Sequence, residues 1–183
     1  MQVWVYQPMA PAARAPAGWA GQQGGVDHLT RHGRTMERET PGDPRDRGGD
    51  GHSLAAQGAT IAAGYSGNAA KAEQFVAEFT AVFGANSGVT VHQGNVASPE
   101  DCRRVIREVL DQHGRLDILV NNAGITIDRT VLKLTDDDWH NVLDVNLSGA
   151  FFPSQAALAH MIERGTGRII NLSSIIGEVG NIG

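Results

Sequence analysis

The chain has 183 residues, a formal net charge of −5 and a hydrophobic content of 41%. This length suffices for one domain with a sizeable core, and no stretch approaches the roughly 18 apolar residues of a membrane span. The single cysteine, Cys102, excludes an internal disulfide and a cysteine-rich metal site, and the acidic balance argues against nucleic acid as the main partner. Because the N-terminus also lacks a basic and then apolar signal pattern, we expect a cytoplasmic protein with no metal ion and no membrane partner.

Residues 1–53 differ in composition from the rest of the chain. They contain five of the seven prolines and no lysine, and apolar patterning ends after Val3-Trp4-Val5-Tyr6. The stretch 40–51 is a run of glycine, proline and aspartate that favours neither helix nor strand. We therefore predict an irregular or disordered segment over 1–53 and a regular domain over 54–183.

From residue 54 onward, strands alternate with helices. Predicted strands cover residues 60–65, 89–93, 116–120 and 168–172. One predicted helix ends near Ala59, and three others cover residues 68–83, 98–113 and 135–164. Alternation of this kind indicates right-handed crossovers and a parallel sheet, so the fold class is α/β with a doubly wound sheet.

Two helix starts carry capping signals. Ser98 precedes a proline and stands three residues before Asp101, which predicts a capping box with aspartate in place of glutamate. Thr135 precedes three aspartates, whose charges favour the positive end of a helix.

The strand at residues 116–120 runs directly into Asn121-Asn122-Ala123-Gly124. Its apolar run predicts burial on both faces, and its polar end then lies at the carboxyl edge of the sheet, where open α/β folds bind ligands. The two asparagine amides can tie neighbouring strand ends together. Ala123 and Gly124 leave room for a flat ligand to approach the backbone.

The strand at residues 60–65 ends in Gly64-Tyr65-Ser66-Gly67-Asn68, without an acid. An aspartate or glutamate at this place would bind a ribose 2′-hydroxyl and repel a 2′-phosphate. Its absence favours NADP over NAD, and the Tyr65 and Ser66 hydroxyls are candidates to contact the phosphate; ordinary loop residues are the alternative reading of both.

The segments 114–126, 144–149 and 167–177 resemble the short-chain dehydrogenase/reductase family, in particular its 3-oxoacyl-carrier-protein reductase and acetoacetyl-CoA reductase branch. The resemblance implies a Rossmann-type fold and an NADP-binding cleft. It implies that Asn122, Ala123 and Gly124 line the cofactor cleft and that Asn95 and Val96 hold the adenine ring, although a turn residue is an equal reading of Asn95 alone. It also implies homotetramers among full-length relatives, a state that is doubtful for this chain.

The resemblance further implies two catalytic residues. The residue at the position of Asn146 distorts the long helix and holds a water in a proton relay, whereas a packing amide is the alternative. The residue at the position of Ser174 binds the substrate carbonyl and orients it for hydride attack.

Two parts that the family pattern requires are not found in the sequence. Tyr6 and Tyr65 are the only tyrosines, and neither has a lysine four residues later, so the Tyr-x-x-x-Lys proton donor is missing. No glycine-rich phosphate loop stands in residues 1–53. One possible set of codons for residues 45–50, CGG GAT CGG GGC GGC GAT, encodes Gly-Ile-Gly-Ala-Ala when it is read one base later, so we hypothesise a frame-shifted start.

The expected function is therefore NADPH-dependent reduction of a 3-oxoacyl thioester to the 3-hydroxyacyl thioester. One alternative is another short-chain alcohol or ketone reductase. The other alternative is an inactive, truncated product or a dinucleotide-binding remnant, because the proton donor and the glycine loop are missing.

Overall fold

The computed structural model describes residues 2–6 and 49–180, with five strands and six α-helices in these ranges. The strands are β1 (Gln2–Tyr6), β2 (Thr60–Tyr65), β3 (Thr90–Gln93), β4 (Ile118–Asn121) and β5 (Arg168–Asn171). The helices are α1 (Gly49–Ala55), α2 (Ala69–Phe83), α3 (Pro99–His113), α4 (Asp136–Leu143), α5 (Gly149–Glu163) and α6 (Ile176–Val179). The four strands predicted after residue 54 are all present, with bounds that differ by at most two residues.

All five strands form one sheet in the order β3-β2-β1-β4-β5. β2 pairs with β3 and β4 pairs with β5, both in parallel, as the alternation of strands and helices predicts. The strand order and the helices on both faces confirm a Rossmann-type α/β fold.

The direction of β1 differs from the predicted parallel sheet. β1 lies between β2 and β4 and is antiparallel to both, with Gln2 opposite Gly64 and Tyr6 opposite Thr60. The expectation of an irregular segment over 1–53 is thus wrong for Gln2–Tyr6 and for α1, which begins at Gly49. β2 and β4 both contain buried residues, so their backbone N–H and C=O groups need hydrogen-bond partners within the sheet. A strand that lies between them, as β1 does, supplies these partners. Residues 7–48, which include most of the segment 45–50 on which the frame-shift hypothesis depends, lie outside the described residues.

Two apolar layers cover the two faces of the sheet. On one face Ala62 and Leu119 pack against α3 and α5, through Val105, Ile106, Val109, Ala157 and Met161. On the other face Ile61, Ala63 and Val120 pack against α1 and α2, through Leu54, Ala55, Phe75 and Phe79. Alternate residues of β2 and of β4 therefore point into different layers, as the pleat of a strand requires.

The long predicted helix is interrupted by a π-helical segment, Asp144–Ser148, between α4 and α5. At its end the Gly149 N–H donates to the Asp144 carbonyl, five residues back. Pro153 lies inside α5 and has no N–H to donate to the Gly149 carbonyl. Thr135 begins α4 with a reciprocal capping box to Asp138, so this helix start is as predicted.

An ion cluster joins the start of β4 to the end of α5. Arg115 Nε lies 2.8 Å from Asp117 Oδ2 and Arg164 Nη1 lies 2.9 Å from Asp117 Oδ1, while the Asp117 side chain is only 15% exposed. Burial raises the pKa of Asp117, but hydrogen bonds from the two guanidinium groups lower it more, so the net pKa is below its ordinary value.

Asp117→Asn should lower the free energy of unfolding by about 1–2 kcal/mol near neutral pH, because it removes a charge-assisted cluster. Since the folded pKa is depressed, the contribution is fully present above the ordinary aspartate pKa of about 3.9 and is lost as pH falls through the folded value. Denaturant unfolding between about pH 3 and pH 7 should therefore show a weaker acid dependence in the variant. Asp128→Asn, at an exposed position, is the control; equal acid dependence in Asp117→Asn and the parent chain would contradict the prediction.

Candidate functional site

A cleft of about 360 Å³ lies at the carboxyl ends of β2, β3 and β4. Gly64 and Tyr65 end one strand and open into the turn 66–68, while His92 comes from the next strand. Helices α2 and α3 form the side walls. Other lining residues are Lys71, Ala72, Gly94, Asn95, Val96, Asp101, Cys102, Val105, Ala123, Gly124, Ile125 and Val145.

Six of the nine residues that sequence analysis selected line this cleft. They are Tyr65, Ser66, Asn95, Val96, Ala123 and Gly124. Three strand ends that are far apart in the chain therefore meet at one place. Asn122, Asn146 and Ser174 are not among the lining residues.

The loop after β3 is held by a compact hydrogen-bond set around Asn95. Asn95 Oδ1 accepts the Ala97 N–H at 3.0 Å, and the Asn95 N–H donates to Asp101 Oδ2 at 2.8 Å. Ser98 Oγ accepts the Asp101 N–H at 3.2 Å, so the predicted helix cap is present. The predicted reciprocal half of the capping box is absent from these contacts, because the shorter aspartate side chain turns to the Asn95 N–H instead.

The charge of Asp101 is strongly stabilised at the cleft wall. The Asn95 N–H is the largest cause that lowers the pKa of Asp101, followed by Arg104, whose Nη2 lies 2.9 Å from Asp101 Oδ1. Arg104 Nη2 also donates to the Gln93 carbonyl at 2.8 Å. This carboxylate therefore fastens α3 to the end of β3 and stays ionised while doing so.

Close packing at two glycines sets the position of Val96. A Cβ on Gly94 would lie 2.8 Å from Val105 Cγ2, and a Cβ on Gly149 would lie 2.9 Å from Val96 Cγ2. Both distances are shorter than the contacts that Cβ atoms make in proteins. The loop that carries Asn95 and Val96 is thus pressed between α3 and the start of α5, and only glycine permits this approach.

The Asn146 amide clamps the loop that follows β4. Its Oδ1 accepts the Ile125 N–H at 2.8 Å and its Nδ2 donates to the Ile125 carbonyl at 2.9 Å. Ile125 lines the cleft, and Asn146 lies in the π-helical segment. Asn146 therefore acts on the cleft through Ile125.

Ser174 lies three residues beyond the end of β5, in an exposed stretch before α6. Its carbonyl accepts the Gly177 N–H at 3.0 Å. The structure thus separates Ser174 from the cleft lining, and its predicted role in binding a carbonyl stays a prediction.

Lys71 and Cys102 line the cleft but were not selected from the sequence. Lys71 lies in the first turn of α2, where its N–H donates to the capping Asn68 Oδ1 at 3.1 Å. The sequence signal that indicates Lys71 is its position three residues after the acid-free turn 66–68. Burial raises the pKa of the Cys102 thiol to about 11, and its Sγ lies 3.3 Å from the Val96 carbonyl, so this thiol is a packing group.

A model of the protein family described as short chain dehydrogenase matches residues 51–183. The chain belongs to this family. Membership agrees with the Rossmann-type sheet and with a ligand cleft at the carboxyl ends of its strands.

Three relatives show the breadth of the similarity. The chain is 43% identical over 130 residues to "3-oxoacyl-[acyl-carrier-protein] reductase FabG" of Staphylococcus aureus, covering 71% of this chain and 52% of the relative. It is 39% identical over 132 residues to the "3-oxoacyl-[acyl-carrier-protein] reductase" of Synechocystis sp., covering 72% and 52% of the two chains. It is 40% identical over 131 residues to the "Acetoacetyl-CoA reductase" of Shinella zoogloeoides, covering 72% and 51%. The chain thus spans about half the length of these relatives.

The family implies a nicotinamide dinucleotide as cofactor, and a cleft at the carboxyl ends of parallel strands is the place where such folds bind a ligand. Asn95 and Val96 line the same cleft as Tyr65, Ser66 and Lys71. The described residues do not supply the pyrophosphate cradle that normally follows the first strand. Because β1 is antiparallel, Tyr6 stands at the Thr60 end of β2, away from the cleft.

Across residues 2–6 and 49–180, no helix is long and apolar enough to cross a membrane. In the same ranges no group of three or more histidine, cysteine, aspartate or glutamate residues is placed to hold a metal ion.

Proposed function

We propose that this chain binds NADP(H) in the cleft and contributes the adenosine-binding part of a reductase that acts on a 3-oxoacyl thioester. The observation that carries the proposal is the presence of Lys71 in the cleft lining, together with an acid-free turn at the end of β2. The relatives named as reductases of 3-oxoacyl-carrier protein and of acetoacetyl-CoA support the substrate class.

The electrostatics of the cleft favour a cofactor that carries a 2′-phosphate. Tyr65 and Ser66 offer hydroxyl groups, and Lys71 offers a cation close to the positive end of α2. The carboxylate in the lining, Asp101, is already engaged by the Asn95 N–H and by Arg104. NAD, which lacks the 2′-phosphate, gains nothing from Lys71 and is the weaker candidate.

The Lys71 contribution is testable with ligands that carry only the adenosine end. 2′,5′-ADP should bind more tightly than 5′-AMP, and Lys71→Gln should reduce the affinity for 2′,5′-ADP about tenfold, because one charge-assisted contact is lost. The affinity for 5′-AMP should change little. Isothermal titration calorimetry measures all four constants.

The matched control is Lys133→Gln, since Lys133 is the other lysine of the chain and lies outside the cleft lining. It should leave both affinities unchanged. Equal affinities for 2′,5′-ADP and 5′-AMP in the parent chain would defeat the proposed preference for NADP.

In the proposed reaction the nicotinamide, when bound, would supply the hydride that reduces the ketone, and water would supply the proton that converts the resulting alkoxide to the alcohol. Asn146 keeps the Ile125 backbone at the cleft rim, and we assign the Ser174 hydroxyl to orientation of the substrate carbonyl. Asn122, together with Ala123 and Gly124, is assigned to the cofactor side of the cleft.

A dinucleotide-binding remnant without turnover is the second candidate. The antiparallel direction of β1 favours it, because Tyr6, the last residue of β1, pairs with Thr60 at the end of β2 that lies away from the cleft. The sequence also has no tyrosine followed four residues later by lysine.

The two candidates differ in one assay. Incubation of the 183-residue chain with NADPH and acetoacetyl-CoA, followed at the absorbance of the reduced nicotinamide, should show no oxidation above background if the chain is a remnant. Oxidation that depends on the thioester and disappears in Ser174→Ala would establish the reductase and exclude the remnant.

A further inference from the structure

A chain of hydrogen bonds runs from the cleft to the far end of α3. The His92 side chain is 5% exposed and lines the cleft, with Nδ1 3.3 Å from Glu108 Oε2 and Nε2 3.0 Å from Thr90 Oγ1. Thr90 Oγ1 in turn lies 2.9 Å from His113 Nε2. We call this set of four residues the histidine relay; it consists of Glu108, His92, Thr90 and His113.

The histidine relay satisfies its hydrogen bonds in two states that differ by one proton. In the neutral state His92 Nδ1–H donates to Glu108, the Thr90 hydroxyl donates to His92 Nε2, and His113 Nε2–H donates to Thr90. With one proton added from solvent, both nitrogens of His92 donate and the Thr90 hydroxyl turns to donate to His113 Nε2, while His113 stays neutral with its own proton on Nδ1 instead of Nε2.

Uptake of a second proton is opposed. If His113 and His92 were both cations, one positive charge would lie on each side of the Thr90 hydroxyl oxygen. Both Nε2 atoms would then donate to this oxygen, so the Thr90 hydroxyl would have no acceptor within the histidine relay. Burial lowers the pKa of His113, and the charge of His92 lowers it further. The Glu108 carboxylate faces His92, so it favours the added proton on the ring that lines the cleft.

The charges around His92 nearly balance before that proton arrives. From α3, Arg104 Nη1 lies 2.7 Å from Glu108 Oε1, and Asp101 shares the same guanidinium. Burial raises the pKa of Glu108, but Arg104 and His92 lower it more, so this carboxylate is ionised. From α2, Lys71 faces the cleft, whereas Glu78 is exposed and accepts a hydrogen bond from Gln74. The β2 partner of His92 is Gly64, which carries no charge.

We propose that His92 is a proton-linked determinant of anion affinity in the cleft: a bound phosphate monoester draws one proton onto His92. The inference rests on the proposed function, because it takes the 2′-phosphate of NADP as the anion that enters. The protonated His92 ring adds one positive charge to the cleft wall, where the charges of the neighbouring side chains already cancel. This added charge attracts the phosphate. The affinity for a 2′-phosphate should therefore rise as pH falls, by about threefold to tenfold more than the titration of the phosphate itself produces.

The test is calorimetric titration of the whole chain with 2′,5′-ADP at about pH 6.5, in two buffers of different ionisation enthalpy, which counts the protons taken up on binding. The parent chain should take up more protons than His92→Gln. His140→Gln, at an exposed position of α4 outside the cleft lining, should match the parent chain. Equal proton uptake in His92→Gln and the parent chain overturns the inference.

Nitrogen-15 spectra of the histidine rings in the unsubstituted chain give a second measurement that does not depend on how His92→Gln folds. The His92 signals should move toward those of the cation when 2′,5′-ADP is added, and signals that stay unmoved overturn the inference. If 2′,5′-ADP binds without extra proton uptake, only the role of His92 fails. If 2′,5′-ADP does not bind at any pH, the proposed function fails and this inference fails with it.

Discussion

Phe79→Ala should lower the free energy of unfolding by about 3–5 kcal/mol, the range for truncating a fully buried phenylalanine. Phe79 is 0% exposed and lies in the middle of an aromatic cluster on α2. Its ring centroid is 4.6 Å from that of Phe83, 5.5 Å from that of Phe75 and 5.1 Å from that of His52 on α1. The loss would remove much of the roughly 5–15 kcal/mol that stabilises an ordinary domain.

Denaturant unfolding followed by circular dichroism measures the loss. The matched control is Val82→Ala on the same helix, because Val82 is 66% exposed and should change the stability by less than about 0.5 kcal/mol. A cost for Phe79→Ala that is no larger than the cost for Val82→Ala would contradict the packing of α2 on the sheet.

Asn121→Leu should cost about 2–3 kcal/mol of stability, since it removes a buried polar group from a shared network. Asn121 is 5% exposed, and its Nδ2 lies 2.8 Å from Asn171 Oδ1, 2.9 Å from Ser154 Oγ and 3.2 Å from the Ala150 carbonyl. These contacts tie β4 to β5 and to α5. The same substitution should also weaken binding of 2′,5′-ADP, because Asn121 leads directly into the cleft residues Ala123 and Gly124.

Stability and affinity are measured by denaturant unfolding and by calorimetric titration. Asn141→Leu, at an exposed position of α4, is the matched control and should leave both quantities unchanged. Unchanged stability in Asn121→Leu would show that the network adds nothing beyond what an apolar side chain supplies. Lower stability with unchanged affinity would separate the network from the cleft.

Local signals predicted most of the regular structure. The cap at Thr135 and the apolar runs of β2 and β4 are encoded within a few residues, so the sequence alone located them. The tie between strand ends through Asn121 also follows from a polar side chain at the end of a buried strand, and its contacts confirm that prediction. The predicted family and the Rossmann-type fold are confirmed as well.

Predictions that depend on distant partners were less complete. The capping box at Ser98 was wrong in its reciprocal half, because the Asn95 N–H competes for the Asp101 side chain. Asn122 and Ser174 stay outside the cleft lining, since a residue can follow a strand end and still turn away from the ligand side. Lys71 was missed because its place in the cleft depends on how α2 lies across the sheet.

The sequence by itself determined the strands β2 to β5, the family and six residues of the cleft, because each of these is encoded in short apolar runs, turn residues and motifs. Only the tertiary structure decided that Gln2–Tyr6 forms a strand and that this strand is antiparallel to both neighbours, because its partners β2 and β4 lie far along the chain. It also decided that the side chains of His92, Thr90, Glu108 and His113 lie within hydrogen-bond distance of one another, because α3 crosses β3 and brings residues 16 and 23 positions apart into contact.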